Sequence, residues 1–486
     1  MASVGAAKLH ALFLPYFAPS HMIPLVNVAR LFAAQGVKVT ILTTKYNAVL
    51  FQSSIAHATG LGHDISVHNL KFPSAELGIP EGIENFSAAT TTEILWKVYM
   101  GVMHLQPAME EFIEELSPHC IISDMFYPWT VDLAEKLKIP RILFYPNNFI
   151  SHCLPHNLRE YEPHKSVKSD SERFLIPGLP DRIEMKRSQL EDHMKTETPL
   201  AEVLRKVRAS ALRSFGSAFD TVYEFEPQYA DYFGKVKGTK YWTIGPLFYF
   251  SNKEKTDNSA DGKDGCLNWL DTQAPNRVLY VSFGSIAKFG DAQLHEIAIA
   301  LEALNQPFIW VVRKRESNPD GQQESWLPDG FEERITKGNK GLIIRGWAPQ
   351  LKILNHPAIG GFMTHCGWNS TMEAMTAGVP LISWPLFAEQ FYNEKLLLEV
   401  LKVGVSVGAD HYHASPIIED PLVESKQIQA AINRLISSSE ESQEIRDRAK
   451  EMAALAKRAV EEGGSSYQNL LDLIDALKSC AFSVNS

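Results

Sequence analysis

The chain has 486 residues, too many for one core, and its 45% hydrophobic and 21% charged content is that of a soluble globular protein with two domains. A net charge of −10 with no basic block argues against nucleic acid as the main partner. Five widely spaced cysteines without a C-x-x-C pair argue against a zinc ribbon or a disulfide scaffold.

The first segment, "MASVGAAKLHALFLPYF", is weakly charged, and its short apolar run is broken by His10. It reads as a strand over Leu9–Tyr16 rather than as a signal peptide. "MIPLVNVARLFAAQG" has helical recurrence and stops at Gly36, and "VKVTILTT" follows as a second strand. Strand, helix, strand in that order implies parallel pairing with a right-handed crossover. "CIISDMF" and "PRILFYP" flank the helical "WTVDLAEKLKI" in the same rhythm, so the first half predicts an open α/β sheet.

Tyr249–Gly265, "YFSNKEKTDNSADGKDG", is polar and is the best linker candidate. Beyond it the rhythm restarts with strands at "VLYVSFGS", "PFIWVVR", "LIIRGWAP", "IGGFMTH" and "VPLISWP". Amphipathic helices follow at "QIQAAINRLI" and "EIRDRAKEMAALAKRAVEE", and "SSYQNLLDLIDALKS" closes the series. Two α/β domains facing across a cleft are expected, with ligands beyond the carboxyl ends of the strands. No run of 18 apolar residues exists, and the last residues match neither a prenylation box nor an ER-retention signal. No membrane insertion and a cytoplasmic location are therefore expected.

Several chemistries find no motif. No complete G-x-G-x-x-G follows a strand, and no P-loop, H-E-x-x-H or D-x-D occurs. "HYH" at His411–His413 lies in a polar stretch and reads as a solvated loop, not a metal site.

"THCGWNS", Thr364–Ser370, stands where an apolar strand turns into a helix that ends at Gly378. Asn369 or Ser370 is expected to cap that helix. A helix N-terminus offers free N–H groups and the positive end of a dipole, which suits a phosphate, although an ordinary cap explains Ser and Asn equally well. The surrounding residues decide. Trp347–Gln390, "WAPQLKILNHPAIGGFMTHCGWNSTMEAMTAGVPLISWPLFAEQ", resembles the signature box of plant secondary-product glycosyltransferases, in family 1 of the UDP-glycosyltransferases. "SHMIPLVNVARLF", "GCLNWLDTQAPNRVLYVSFGS" and "GGSSYQNLLDLIDAL" extend the resemblance over nearly the whole chain.

The resemblance implies a GT-B fold, two Rossmann-like α/β domains facing across a cleft. An acceptor domain over 1–250, a linker at 251–265 and a nucleotide-sugar domain over 266–464 follow, with a last helix near 465–486 crossing back to the first domain. It also implies inverting transfer of a sugar from UDP to a hydroxyl of a small lipophilic plant product, such as a flavonoid, phenolic, triterpenoid or steroid. No metal or other cofactor is expected, UDP-glucose being the co-substrate, and the enzyme is expected to be a monomer. By resemblance, Trp347 stacks on uracil, Ala348 and Gln350 lie near base and ribose, and Glu373 accepts from both ribose hydroxyls. Gly284, Ser285, His365, Gly367, Asn369 and Ser370 surround the pyrophosphate, and Trp368, Glu389 and Gln390 surround the sugar. Gln at the last box position goes with glucose donors in the family, and His with galactose.

His21 after the first strand is the expected general base, and Asp124 after "CIIS" its partner. Phe126 and Asn147 are expected on the acceptor side. Two departures fall there: Ser20 stands where the family commonly has Gly, and "FYPNNFISHCL" replaces the common Phe-His-Gly-Thr. Other UDP-sugar donors keep the same fold. A non-catalytic binder of nucleotide sugars is a different class, and loss of His21 or Asp124 would have favoured it.

Overall fold

The computed structural model describes residues 8–252, 265–304, 306–312 and 326–482. Two all-parallel sheets dominate it. The first contains β1 (His10–Leu14), β2 (Lys38–Thr44), β3 (Ile65–Leu70), β4 (Cys120–Asp124), β5 (Arg141–Tyr145), β6 (Gly216–Phe219) and β7 (Tyr241–Thr243). Their spatial order is β3-β2-β1-β4-β5-β6-β7, reversing direction between β1 and β4. The second contains β8 (Val278–Ser282), β9 (Phe308–Val312), β10 (Gly341–Arg345), β11 (Ile359–Thr364), β12 (Leu381–Ser383) and β13 (Gly404–Ser406). Its order, β10-β9-β8-β11-β12-β13, reverses between β8 and β11. In such sheets the crevice beyond the strand ends at each reversal is where ligands bind. β1, β4 and β8 are buried on both faces, which explains why "HALFL", "CIISD" and "VLYVS" are mainly apolar without a polar residue at every second position.

The helices that matter below are α1 (Pro19–Ala34), α2 (Ile150–Tyr161), α3 (Pro199–Arg213), α4 (Pro227–Lys237), α5 (Trp368–Ala377), α6 (Gln390–Lys395) and α7 (Ser465–Phe482). α1 begins three residues before the recurrent apolar pattern, because Pro19 sits at its first position with a preset φ. That places His21 in the first turn. The expected linker is less extended at its edges: Leu247–Asn252 is helical and Gly265 opens another helix. Residues 253–264 lie outside the described residues.

α7 packs on the first sheet. Its Leu470, Leu473, Ile474 and Leu477 are buried among Leu9, Phe13, Phe32 and Trp242. Asn469 Nδ2 donates to Thr243 Oγ1 at 2.8 Å and to its carbonyl at 3.1 Å. Burial of four aliphatic side chains, at roughly 1.5–3 kcal/mol each, fastens the end of the chain to its beginning. A continuous buried cluster also joins the two sheets, running from Leu143, Phe149 and Tyr229 through Phe362, Trp368 and Tyr392. No helix among the described residues is long and apolar enough to cross a membrane.

Candidate active site

A cleft of about 1660 Å³ lies between the sheets, beyond their carboxyl ends. His21, Phe126, Asn147, Gly284, Ser285, Trp347, Ala348, Gln350, His365, Gly367, Trp368, Asn369, Ser370, Glu373, Glu389 and Gln390 all line it. Asp124, fully buried, stands behind His21.

On the first-domain wall, His21 Nδ1 meets Asp124 Oδ2 at 2.8 Å. Asp124 Oδ1 accepts from the Phe126 N–H at 3.0 Å, which fixes the carboxylate at the end of β4. With Nδ1 donating to the carboxylate, Nε2 of His21 is left unprotonated. Tyr16 and Phe126 pack on the imidazole, with ring centroids 5.9 and 5.4 Å away. Burial disfavours the charged imidazolium, but the Asp124 charge and hydrogen bond, with help from Glu389, outweigh it and raise the His21 pKa. A base must be neutral to accept a proton, so a raised pKa moves the acid limb of activity upward. We expect the kcat/KM profile on an alcohol acceptor to fall with an apparent pKa above the ordinary 6.5 of histidine. In Asp124→Asn the raising charge is gone and the limb should move down; a pH–rate series on both proteins checks it.

On the second-domain wall, the segment Thr364–Ser370 turns from β11 into α5. Gly367 is the N-cap, with φ −60° and ψ 135°, and no side chain caps the helix. The expectation that Asn369 or Ser370 caps it is therefore corrected: they occupy the second and third helical positions. The reason is that Cys366 turns the chain at φ 63°, starting the helix at Trp368. The first turn has no N-cap side chain; its Trp368 N–H goes to Glu389, and the Asn369 and Ser370 N–H groups have no intrahelical partner.

His365 stands at the same point between two glycines. A Cβ on Gly284 would lie 2.6 Å from its Cε1, and one on Gly367 would lie 2.5 Å from its Nε2. Gly284 also sits at φ 74°, so both its conformation and its lack of a side chain are required. Burial lowers the His365 pKa to about 4, so this ring is neutral at pH 7. Thr364 Oγ1 lies 3.4 Å from Nδ1; with that hydroxyl donating, Nε2 carries the proton.

Glu373 accepts from Gln350 Nε2 at 2.7 Å, and the same amide donates to Ser370 Oγ at 3.0 Å. Tyr280 donates to Gln350 Oε1 at 3.2 Å. Burial, and more weakly the charge of Asp220, push Glu373 up to about 7 despite the Gln350 bond. Trp347 is 72% exposed at the rim, an unusual position for an indole without a ligand.

Five side chains are engaged in ways the sequence did not disclose. The Trp368 indole donates to the Asp220 carbonyl at 2.6 Å, so its ring braces the contact between the domains. Gln390 Oε1 accepts from the Leu386 and Phe387 N–H groups at 2.9 and 3.0 Å, which leaves the Gln390 amide as a donor only. Asn369 Nδ2 donates across the cleft to the Ser20 carbonyl at 3.0 Å. That carbonyl is free because Pro24, four residues on in α1, has no N–H. The proline that weakens α1 thus supplies the second domain with a docking point one residue from His21. Glu389, raised by burial, is held by Asn393 Nδ2 at 3.5 Å and by the Trp368 backbone. Asn147 Oδ1 is taken by His152 Nε2 at 2.9 Å.

Glu191, Arg159, Arg208 and Lys237 also line the cleft and have no signal in the sequence. No group of three His, Cys, Asp or Glu arranged to hold a metal occurs among the described residues.

Two facing α/β lobes, a histidine held by a buried carboxylate on one wall and an uncapped helix on the other define a nucleotide-sugar transferase of GT-B architecture. A family model described as UDP-glucoronosyl and UDP-glucosyl transferase matches residues 258–412. The chain is similar to a nuatigenin 3-beta-glucosyltransferase of Solanum aculeatissimum, 51% identical over 99% of both chains. It is also similar to solanidine UDP-glucose glucosyltransferase 1 of Solanum tuberosum, 49% identical over 97% of both. A Glycyrrhiza uralensis crystal structure, complexed with glycyrrhetinic acid 3-O-monoglucuronide, superposes with a TM-score of 0.93, at 40% identity, covering 98% of this chain and 97% of that one. The chain belongs to the plant family 1 UDP-glycosyltransferases.

Proposed function

We propose that this enzyme transfers glucose from UDP-glucose to a hydroxyl of a small lipophilic plant product, flavonoid, phenolic, triterpenoid or steroid, giving a β-O-glucoside. The observation that carries this is the 2.8 Å His21–Asp124 pair on the wall opposite the uncapped helix α5. His21 Nε2 takes the proton from the acceptor hydroxyl. The acceptor oxygen attacks C1 of glucose on the face opposite UDP, and the C1–phosphate oxygen bond breaks with inversion. The electron pair leaves with UDP, whose growing charge falls on the first amides of α5, Ser285 and the His365 N–H. These groups supply the stabilisation that a divalent metal gives elsewhere, so a metal-independent reaction is part of this reading. Asp124 holds the tautomer and steadies the imidazolium.

The first sheet with α7, residues 1–250 and 465–486, is assigned to the acceptor, and 266–464 to the nucleotide sugar, with 251–265 as linker. A monomer in the cytoplasm, without membrane insertion, completes the proposal. Two relatives named as glucosyltransferases favour glucose over other donors, and the molecules in their names, nuatigenin and solanidine, favour an acceptor at the steroid end of that range. Retention of both His21 and Asp124 speaks against a non-catalytic binder.

The nucleotide assignment has its own test. Trp347→Ala removes the stacking face and should weaken UDP binding by ~1–3 kcal/mol, as for other base-stacking aromatics. Glu373→Ala should weaken it too, since a carboxylate receiving two ribose hydroxyls is lost. Calorimetric titration with UDP reads both. Unchanged affinity in both folded variants would sink the assignment. A mass-shift screen of hydroxylated acceptors with UDP-glucose tests the transfer itself.

A further inference from the structure

The His21–Asp124 pair and the α5 terminus account for one part of the cleft. The remainder is walled by α2, α3 and α4, and three cations reach it: Arg159 on α2, Arg208 on α3 and Lys237 at the end of α4. None of them forms an ion pair with a carboxylate among the described residues. Arg159 Nη1 reaches Met194 Sδ at 3.6 Å, and Lys237 Nζ faces His156 Nδ1 at 3.5 Å. Arg159 and Lys237 both feel the charge of Arg208. Burial first, then the charge of Arg208, lowers Arg159 to about 10, while burial and both arginines lower Lys237. Burial, followed by Arg205, lowers Arg208.

The carboxylates at hand do not neutralise them. Glu191 is held by Tyr392 and by His193 Nε2, each at 3.3 Å. Burial, and after it the neighbouring Glu389, push it up to about 8 against the Tyr392 bond and the charge of Arg159, and it makes no ion pair with Arg159. Asp192 is already paired with Lys195 at 2.9 Å. Gathering three half-buried cations without a counter-ion costs stability, because each has lost water and gained repulsion. Such an arrangement is relieved by an anion that arrives with the ligand. Leu204 and Phe233, one helical turn before Arg208 and Lys237, line the same cleft, as does Tyr145. An organic anion with a lipophilic body fits that mixture better than a small hydrated ion.

We propose that Arg159, Arg208 and Lys237 form a carboxylate-binding subsite of the acceptor cavity, so that this enzyme selects lipophilic hydroxy acids. The hydroxyl goes to His21, and the carboxylate is an anchor that does not react. An arginine binds a carboxylate through a two-pronged, charge-assisted contact, which fixes orientation as well as affinity. A hydroxy acid would therefore present one end only to the base. This rests on the reading of the cleft as an acceptor site.

The test compares acid with ester. Oleanolic acid and 4-hydroxycinnamic acid, each beside its methyl ester, are titrated into the UDP-saturated enzyme and followed by calorimetry. Two sizes are used so that reach alone does not decide the outcome. At least one acid should bind more tightly than its ester by about tenfold, the scale of one charge-assisted hydrogen bond, and the ratio should shrink as salt screens the charges. In Arg159→Gln/Arg208→Gln that ratio should fall towards one; reading a ratio cancels any general loss of affinity. Equal binding of acid and ester in the natural enzyme, for both pairs, overturns the proposal. So does a preference that survives in the double variant while UDP binding shows it folded. Binding needs no turnover, so failure of glucosyl transfer to either ester, read by mass shift, counts against the proposed reaction and not against the subsite.

Discussion

His21→Ala should lose on the order of 10²–10⁴ in kcat on an alcohol acceptor, the usual scale for removing a general base, while its affinity for UDP stays. An alcohol cannot ionise near neutral pH, so nothing replaces the imidazole. His21 lies on the first-domain wall, and UDP is assigned to the second, so the nucleotide contacts survive. Asp124→Asn tests the same pair from behind. The amide can donate to Nδ1, and a donated bond moves the ring proton to Nε2, the wrong tautomer for a base. Because Asp124 is fully buried and meets His21 at 2.8 Å, no water can restore the carboxylate's role. A comparable loss is expected there. Near-normal turnover by His21→Ala at several pH values would overturn the mechanism. An acidic phenol is the wrong substrate for this measurement, since it ionises unaided and hides the loss.

What the sequence made legible was local. The strand–helix alternation follows from apolar runs and their stops, and it located both sheets. The box from Trp347 to Gln390 is contiguous, so its strand, turn and helix could be read as one unit. His21 and Asp124 were placed at strand ends, and parallel strands bring their carboxyl ends to one edge of the sheet. What stayed hidden depends on pairing between distant segments. The Trp368 indole bonds to a carbonyl 148 residues away, and Asn369 to one 349 residues away. No spacing rule relates Pro24, which frees the Ser20 carbonyl, to the asparagine that occupies it. The cap at Gly367 was missed for a different reason. Ser and Asn are the commoner caps, but the left-handed turn at Cys366 starts the helix earlier. Arg159, Arg208 and Lys237 come from three helices with unrelated sequence patterns, and each alone reads as a solvated charge. Only the tertiary packing shows that they converge without a counter-ion.

The second large effect is expected at the phosphate end of the cleft. His365→Ala should lower kcat by roughly 10²–10³, the range found when one preorganised donor to a developing negative charge is removed. Its ring is neutral and almost free of protein partners, so it is placed to donate rather than to carry charge. A neutral donor gains most when charge appears on the leaving phosphate, which is why kcat should fall more than UDP-glucose affinity. Gly367→Ala gives the same test without deleting the imidazole. The residue is at φ −60°, which alanine accepts, so backbone strain does not enter. The new Cβ would lie 2.5 Å from His365 Nε2 and 2.9 Å from Cε1, and the ring must turn away. Gly284→Ala also collides with that ring, but at φ 74° it strains the backbone as well and is the less clean variant. If displacement of the ring is the cause, Gly367→Ala and His365→Ala should each lose kcat, and the double variant should lose little more than one alone. Additive losses in the double variant would show that the glycine acts independently, through the approach of the α5 backbone to phosphate. Unchanged kcat in His365→Ala, with transfer still dependent on His21, would remove His365 from the leaving-group site and leave the α5 amides and Ser285 to carry the charge.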